Sequence, residues 1–174
     1  MALISVSCNK DGGGIFGGDP EGTVTINLGN TDPSSEIGRG SAGNDLRWSL
    51  EFGISRVNNL YARMSTSYYW TSGVKSKAEI VSAGTGSGLK SINTNKIPTS
   101  GWNSESVAKE GNLYILRYTI SWEKDDRSKE HPESGSVEFY YGVQVVDTRV
   151  STDGGIIGFT VKYCPFTPGK GWNQ

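Results

Sequence analysis

The stretch LRWSLEFGI constrains this chain more than any other: Leu46, Trp48, Leu50, Phe52 and Ile54 take the even positions, and Arg47, Ser49, Glu51 and Gly53 the odd ones. Apolar residues at strict period two put one face of an extended strand into a core and the other toward water. The pattern recurs. In NLYILRYTISWE, Tyr114, Leu116, Tyr118, Ile120 and Trp122 share a face, with Leu113 and Ile115 opposite at one end. Val137, Phe139, Tyr141, Val143 and Val145 alternate with polar or small residues, and Ile157, Phe159, Val161 and Tyr163 form a last run. Val24, Ile26 and Leu28 make a shorter one near the start.

Between these runs the signals weaken. Asn58-Asn59 is expected to turn the chain into a strand through Leu60, Ala62 and Met64. Ala78–Val81 reads as a short apolar strand, followed by the turn GTGSG and a further extended segment ending at Ile97-Pro98. The charged stretch EKDDRSKEHPESG (residues 123–135) fits an exposed hairpin connection. No window carries a 3.6-residue apolar stripe. Seven or eight strands joined by Gly, Asn, Ser and Pro turns predict an all-β, antiparallel β-sandwich-like single domain over residues 20–174, with an open barrel as the alternative.

Composition narrows the function classes. The chain is only 34% hydrophobic and carries 24 glycines, yet it holds five Trp, eight Tyr and five Phe. That aromatic content is foreign to a disordered chain. A net charge of −1 with dispersed Lys and Arg gives no electrostatic footprint for nucleic acid. No apolar run is long enough to cross a membrane as a helix. One histidine and two cysteines are thin material for a His/Cys metal site, so neither a metal nor a cofactor is expected.

Catalytic sets are equally sparse, and no enzyme is expected. His131 lies in the charged loop before Pro132, where a solvated role fits better than a triad. GTGSG at 84–88 lacks the following helix and the Lys-Ser/Thr spacing of a phosphate loop, and reads as a flexible turn. Carboxylates are scattered, and Asp125, Asp126 and Glu130 have no calcium-loop spacing.

The aromatics are more suggestive. The tripeptide GWN occurs at 101–103 and again at 171–173, each time in a polar loop. Indole faces beside amides suit sugar rings, which makes Trp102, Asn103, Trp172 and Asn173 candidates for ligand binding. Tyr69 and Tyr140 join them, because adjacent strand residues point to opposite faces and Tyr68-Tyr69-Trp70 and Tyr140-Tyr141 must each present a ring outward. The competing role for these rings is packing on loops and sandwich ends.

At the front end, MALISVSCNKDGGGIFGG sets Cys8 between small or apolar residues and a glycine tract. The stretch resembles the lipobox and tether of bacterial lipoproteins, although Ser5 stands where leucine is usual and Met1–Ser7 is too short for a signal peptide. The resemblance implies a lipid on Cys8, a signal remnant at 1–7 with the true start upstream, and a tether at 8–19. It also implies an outer-membrane location, with Lys10-Asp11 as a partial signal for surface exposure. The other use for Cys8 is a disulfide to Cys164. Farther along, EGTVTINLG, GTGSGLKSI, KIPTSGW and above all STDGGIIGFTVKYCPF resemble Bacteroides-type lipoproteins catalogued as a domain of unknown function. That implies a β-rich envelope protein and hands over no catalytic residue. The expected function is therefore a non-enzymatic envelope lipoprotein that binds an extracellular ligand, glycan first. The alternative is a structural or interaction subunit of a surface protein assembly.

Overall fold

The computed structural model describes residues 22–28, 33–43, 46–68, 72–124 and 133–172. Their strands form two antiparallel sheets packed face to face, and no barrel closes among the described residues. The larger sheet runs β1 (Gly22–Asn27), β9 (Ile156–Thr167), β8 (Gly135–Val150), β7 (Asn112–Glu123) and β5 (Ser72–Thr85). β10 (Gly171–Trp172) also pairs with β9, opposite Phe166 and Thr167. The smaller sheet runs β2 (Ser34–Ala42), β3 (Leu46–Ile54), β4 (Asn59–Tyr68) and β6 (Glu105–Val107).

The period-two runs fill the space between the sheets. Leu46, Trp48, Leu50, Phe52 and Ile54 are all buried there, against Tyr114, Leu116, Tyr118, Phe139, Tyr141, Val143, Phe159 and Val161 of the larger sheet. Burying one such side chain contributes about 1.5–3 kcal/mol, so the alternation alone supplies most of the drive to stack the sheets. Asn58, at φ 61°, makes the β3–β4 turn that the Asn-Asn pair announces.

Tyrosine hydroxyls then stitch one sheet to the other. Tyr118 on β7 donates to the Glu51 carbonyl of β3 at 2.6 Å, Tyr114 to the Val107 carbonyl of β6 at 2.6 Å, and Tyr141 on β8 to the Ile37 carbonyl of β2 at 3.3 Å. Two of these acceptors flank a β-bulge. The β2–β3 register jumps from Glu36↔Glu51 to Gly38↔Leu50, leaving Ile37 without a ladder partner. The rings of Tyr118 and Tyr141 meet edge-on at 6.0 Å beneath it. Burial holds the Tyr118 hydroxyl well above the usual tyrosine range, with Tyr141 and Glu51 adding to the effect, so it remains a donor.

Glycine and aromatic residues face each other across strands. Gly40 pairs with Trp48, Gly53 with Tyr61, Gly22 with Tyr163 and Gly135 with Trp122. In each pair the ring lies across the glycine, where a methyl group would overlap it.

The structure corrects the reading of four segments. Ala78–Val81 belongs to a strand of 14 residues, β5. The segment expected to extend to Ile97-Pro98 instead holds a single 3-10 turn at Leu89–Ser91, since Leu89, Ile92 and Ile97 are not spaced at two and pack as a pad. β2 and β6 are additional strands with almost no apolar alternation.

Two substitutions test these contacts by urea denaturation. Tyr118→Phe keeps the ring and removes the hydroxyl's hydrogen bond to the Glu51 carbonyl, so it should cost about 0.5–1.5 kcal/mol. Gly40→Ala should cost about 1–3 kcal/mol by forcing Trp48 aside, whereas Gly88→Ala, where a Cβ meets nothing within 4 Å, should be near neutral.

Candidate functional site

The outer face of the larger sheet is where the candidate residues gather. On β7, Leu113, Ile115 and Arg117 point away from the sandwich core, and Leu113 and Ile115 are nevertheless buried. The cover is the 86–104 segment: Leu89 and Ile92 pack with Val81, Leu113, Ile115, Cys164 and Phe166 as a second apolar cluster. Cys164 faces outward from the sandwich core but is buried by this pad, its thiol donating to the Pro165 carbonyl at 3.5 Å. The segment is fastened at its C-terminal end and at its middle. Asn103 exchanges backbone hydrogen bonds with Ile80 at 2.8 and 2.9 Å, and the Gly169 amide donates to the Thr94 carbonyl at 3.2 Å.

Strand register builds one transverse row across this face. Glu79 pairs with Arg117, Arg117 with Tyr140, Tyr140 with Phe166, and Phe166 with Trp172. The aromatic end is continuous, with Tyr140 and Phe166 rings 5.8 Å apart and Phe166 and Trp172 5.3 Å apart. Trp172 lies over Gly142, the one position in its path without a side chain. Trp102 reaches the row from the pad. Its indole N–H donates to the Pro98 carbonyl at 2.9 Å, and the Arg117 guanidinium sits 4.1 Å from the ring centroid, a cation–π contact. Gly101, at φ 82°, turns the chain so that Trp102 can fold back.

Thus Trp102, Tyr140 and Trp172, drawn from three separate parts of the sequence, meet on one surface, each half-buried. Tyr140 and Tyr141 do take opposite faces, Tyr141 in the core and Tyr140 outside. Asn103 is exposed beside Trp102, with its amide donating to the Gly101 carbonyl at 2.8 Å. Cys8, Tyr69 and Asn173 lie outside the described residues, as do His131, Asp125, Asp126 and Glu130.

The charged end of the row escaped the sequence reading. Glu79 is buried in spite of its charge, with Lys77 at 2.5 Å and Arg117 at 2.6 Å. Burial pushes its carboxyl up, but hydrogen bonds and charge from Lys77 and Arg117 outweigh that and hold it below the ordinary glutamate value of 4.5. Arg117 and Glu79 occupy polar slots of alternating strands, and only the register between β5 and β7 brings them together. Next to the row lies an open groove of about 400 Å³, lined by Lys75, Lys77, Thr119, Ser121, Ser136 and Glu138. Tyr140 stands on its border and donates its hydroxyl to Glu138 at 2.9 Å. Burial and then Glu138 raise the Tyr140 pKa against the opposing pull of Arg117, which keeps that hydroxyl a donor. Hydroxyl, ammonium and carboxylate groups beside an aromatic edge can hydrogen-bond a polyol and stack against it.

Among the described residues, no group of three or more His, Cys, Asp or Glu side chains is placed to hold a metal ion. Among them, too, no helix is long and apolar enough to cross a membrane. Comparison with protein-family models, curated proteins and solved structures finds no match to this chain.

The Glu79 cluster has a definite pH signature. Because the folded pKa lies below the unfolded one, its contribution is complete above pH 4.5 and is lost as pH falls through the folded value. Glu79→Gln should therefore cost about 1–3 kcal/mol in urea denaturation at pH 7. The gap between wild type and variant should close as the medium is acidified below pH 4.5.

Proposed function

We propose that this chain is a non-enzymatic lipoprotein of the cell envelope, held at the outer membrane by lipid on Cys8, whose sandwich binds an extracellular glycan. The observation that carries the ligand reading is the gathering of Trp102, Tyr140 and Trp172 on one sheet face, which meets a groove of hydroxyl and charged side chains at the Tyr140–Glu138 hydrogen bond. In this reading a sugar ring lies in the groove against the Tyr140 edge. Thr119, Ser121 and Ser136 exchange hydrogen bonds with its hydroxyls, and Lys75 and Glu138 fix its orientation. Trp102 and Trp172 hold the shelf rigid, so that little ordering cost falls on binding. The anchor rests on the sequence around Cys8, and mass spectrometry of protein from its native cells reads it directly as a diacylglyceryl-modified cysteine.

One surface favours the alternative of an interaction subunit: Val150, Ile156 and Ile157 stand exposed around the β8–β9 hairpin turn. In that case the protein from envelope extracts would co-migrate with a larger species, and changes at Tyr140 would leave that species intact.

A glycan array followed by affinity electrophoresis tests the glycan reading. Tyr140→Ala should weaken binding about tenfold, the loss of roughly 1.4 kcal/mol; its ring also packs on Phe166, so the melt should fall and binding is compared at a temperature where both proteins stay folded. Trp102→Ala should weaken it together with stability, because the indole also packs on Arg117. Unaltered binding in Tyr140→Ala, or no binding at millimolar glycan, would overturn the proposal.

A further inference from the structure

The pad has a second border, on the side toward the β8–β9 hairpin turn, and the surface there has different chemistry. Here the face opens into a groove of about 430 Å³ lined by Ser87, Leu89, Lys90, Ser91, Gln144 and Lys162. Its walls come from three elements. Lys162 on β9 and Gln144 on β8 are cross-strand partners, and the 3-10 turn brings Lys90 and Ser91 over them. Gln144 is buried, and its amide donates to the Gly86 carbonyl at 3.3 Å, which ties the glycine-rich turn to the sheet. Gly88 leaves that wall bare, since a methyl group there would meet nothing within 4 Å.

Among the described residues, Lys90 and Lys162 are the only ionisable side chains on this lining. Among the described residues neither lysine forms an ion pair. Two ammonium groups around one cavity repel each other unless a counter-charge sits between them. The remaining polar groups are the Ser87 and Ser91 hydroxyls and the Gln144 amide. Among the described lining residues no arginine offers a flat two-pronged fork. Lysine instead acts as a point charge, which suits an anion with acceptor oxygens on several sides.

We propose that the groove between the GTGSG–Leu89–Lys90–Ser91 turn and the Gln144–Lys162 pair is an anion site that takes a phosphate or sulfate group. Lys90 and Lys162 supply the charge, and Ser87 and Ser91 donate to the remaining oxygens. The group is either a free anion or an ester carried on a saccharide. The turn acts without the architecture of a nucleotide-binding loop: it is a wall that carries one lysine, and β9 supplies the other. The site stands apart from the Tyr140 groove, with the pad between them.

Backbone amide NMR titration of the full chain tests this, with inorganic phosphate, inorganic sulfate, glucose 6-phosphate and glucose as probes. Phosphate or sulfate should shift the Ser87–Ser91 and Lys162 amides saturably, and glucose should not. Tighter binding of glucose 6-phosphate identifies a phosphorylated saccharide as the ligand, and binding of the inorganic anions alone identifies a free anion. Lys90→Ala and Lys162→Ala should each weaken binding about tenfold, Lys162→Arg should retain it, and added salt should weaken it. Lys75→Ala, in the other groove, should change nothing here. No saturable shift up to about 10 mM anion at low ionic strength, a concentration that already registers very weak binding, would overturn the proposal. So would wild-type affinity in the Lys90→Ala/Lys162→Ala double variant. Tyr140→Ala should leave these titrations unchanged, so the anion site and the glycan reading fail by separate results.

Discussion

The contact on which the sandwich depends is the pair of tyrosine hydroxyls that cross from one sheet to the other beneath the β2–β3 bulge. Hydrophobic burial is non-directional: it brings two apolar faces together without deciding how far one slides over the other. Tyr118 and Tyr141 supply that decision, because each hydroxyl reaches a single backbone carbonyl, Glu51 and Ile37 respectively. The bulge and the tyrosines need each other. An extra residue in β2 breaks the ladder at Ile37, and a buried carbonyl without a partner costs about 1–3 kcal/mol. The Tyr141 hydroxyl removes that cost. In return, two buried hydroxyls that would themselves be expensive to desolvate find acceptors. Tyr114, donating to the Val107 carbonyl of β6, makes the same kind of crossing toward the other edge of the small sheet.

The same economy explains a composition that otherwise looks contradictory. Glycine weakens a strand because it has no side chain to pack, and a large ring needs room on a pleated surface. Set opposite each other, as Gly40–Trp48, Gly53–Tyr61, Gly22–Tyr163 and Gly135–Trp122 are, each removes the other's problem. The ring covers the bare backbone, and the missing Cβ gives the ring its bed. Three of these pairs involve β1, β2 or the first residue of β8, where neighbours are fewest. Gly142 and Trp172 repeat the device on the outer face. Glycine content in this chain is thus part of its aromatic packing as much as of its turns.

How much of this was legible in the sequence follows from what each feature depends on. Alternation is local, so β3, β7, β8 and β9 could be read from Leu46–Ile54, Leu113–Trp122, Val137–Val145 and Ile157–Tyr163, and antiparallel sheets follow from short connections. β2 could not, because Gly38, Gly40 and a bulge interrupt the pattern and Ile37 is its one strongly apolar residue. The segment from Leu89 to Pro98 is not extended as its sequence suggests, because its apolar residues answer to a surface already built by other strands. The candidate site divides the same way. Trp102, Tyr140 and Trp172 were visible as outward rings, since loop polarity and strand alternation are local properties. Their convergence with Arg117 and Glu79 is a matter of register, which no single segment encodes.

The position of the two grooves follows from a mismatch in size. A strand of 16 residues such as β8 extends roughly 50 Å at about 3.3 Å per residue. The pad closes three rows of outward side chains, from the Glu79–Trp172 row to the Leu113–Gln144 pair. At a row spacing of roughly 7 Å it covers well under half of that length. The covered part becomes a second core, which is why Leu113 to Leu116 are buried on both sides of β7. The uncovered parts begin where the pad ends, and each border combines an apolar wall with polar side chains that the bare sheet must present to water. A groove at each border is therefore a consequence of laying a short pad on a long sheet. What differs between the borders is the chemistry: hydroxyls and mixed charge beside Tyr140, and, among the described residues, two lysines and no carboxylate beside Gln144. That difference is written in single outward positions, Glu138 and Thr119 at one border and Lys90 and Lys162 at the other. It can therefore change without disturbing the inward-facing residues that hold the sheets together.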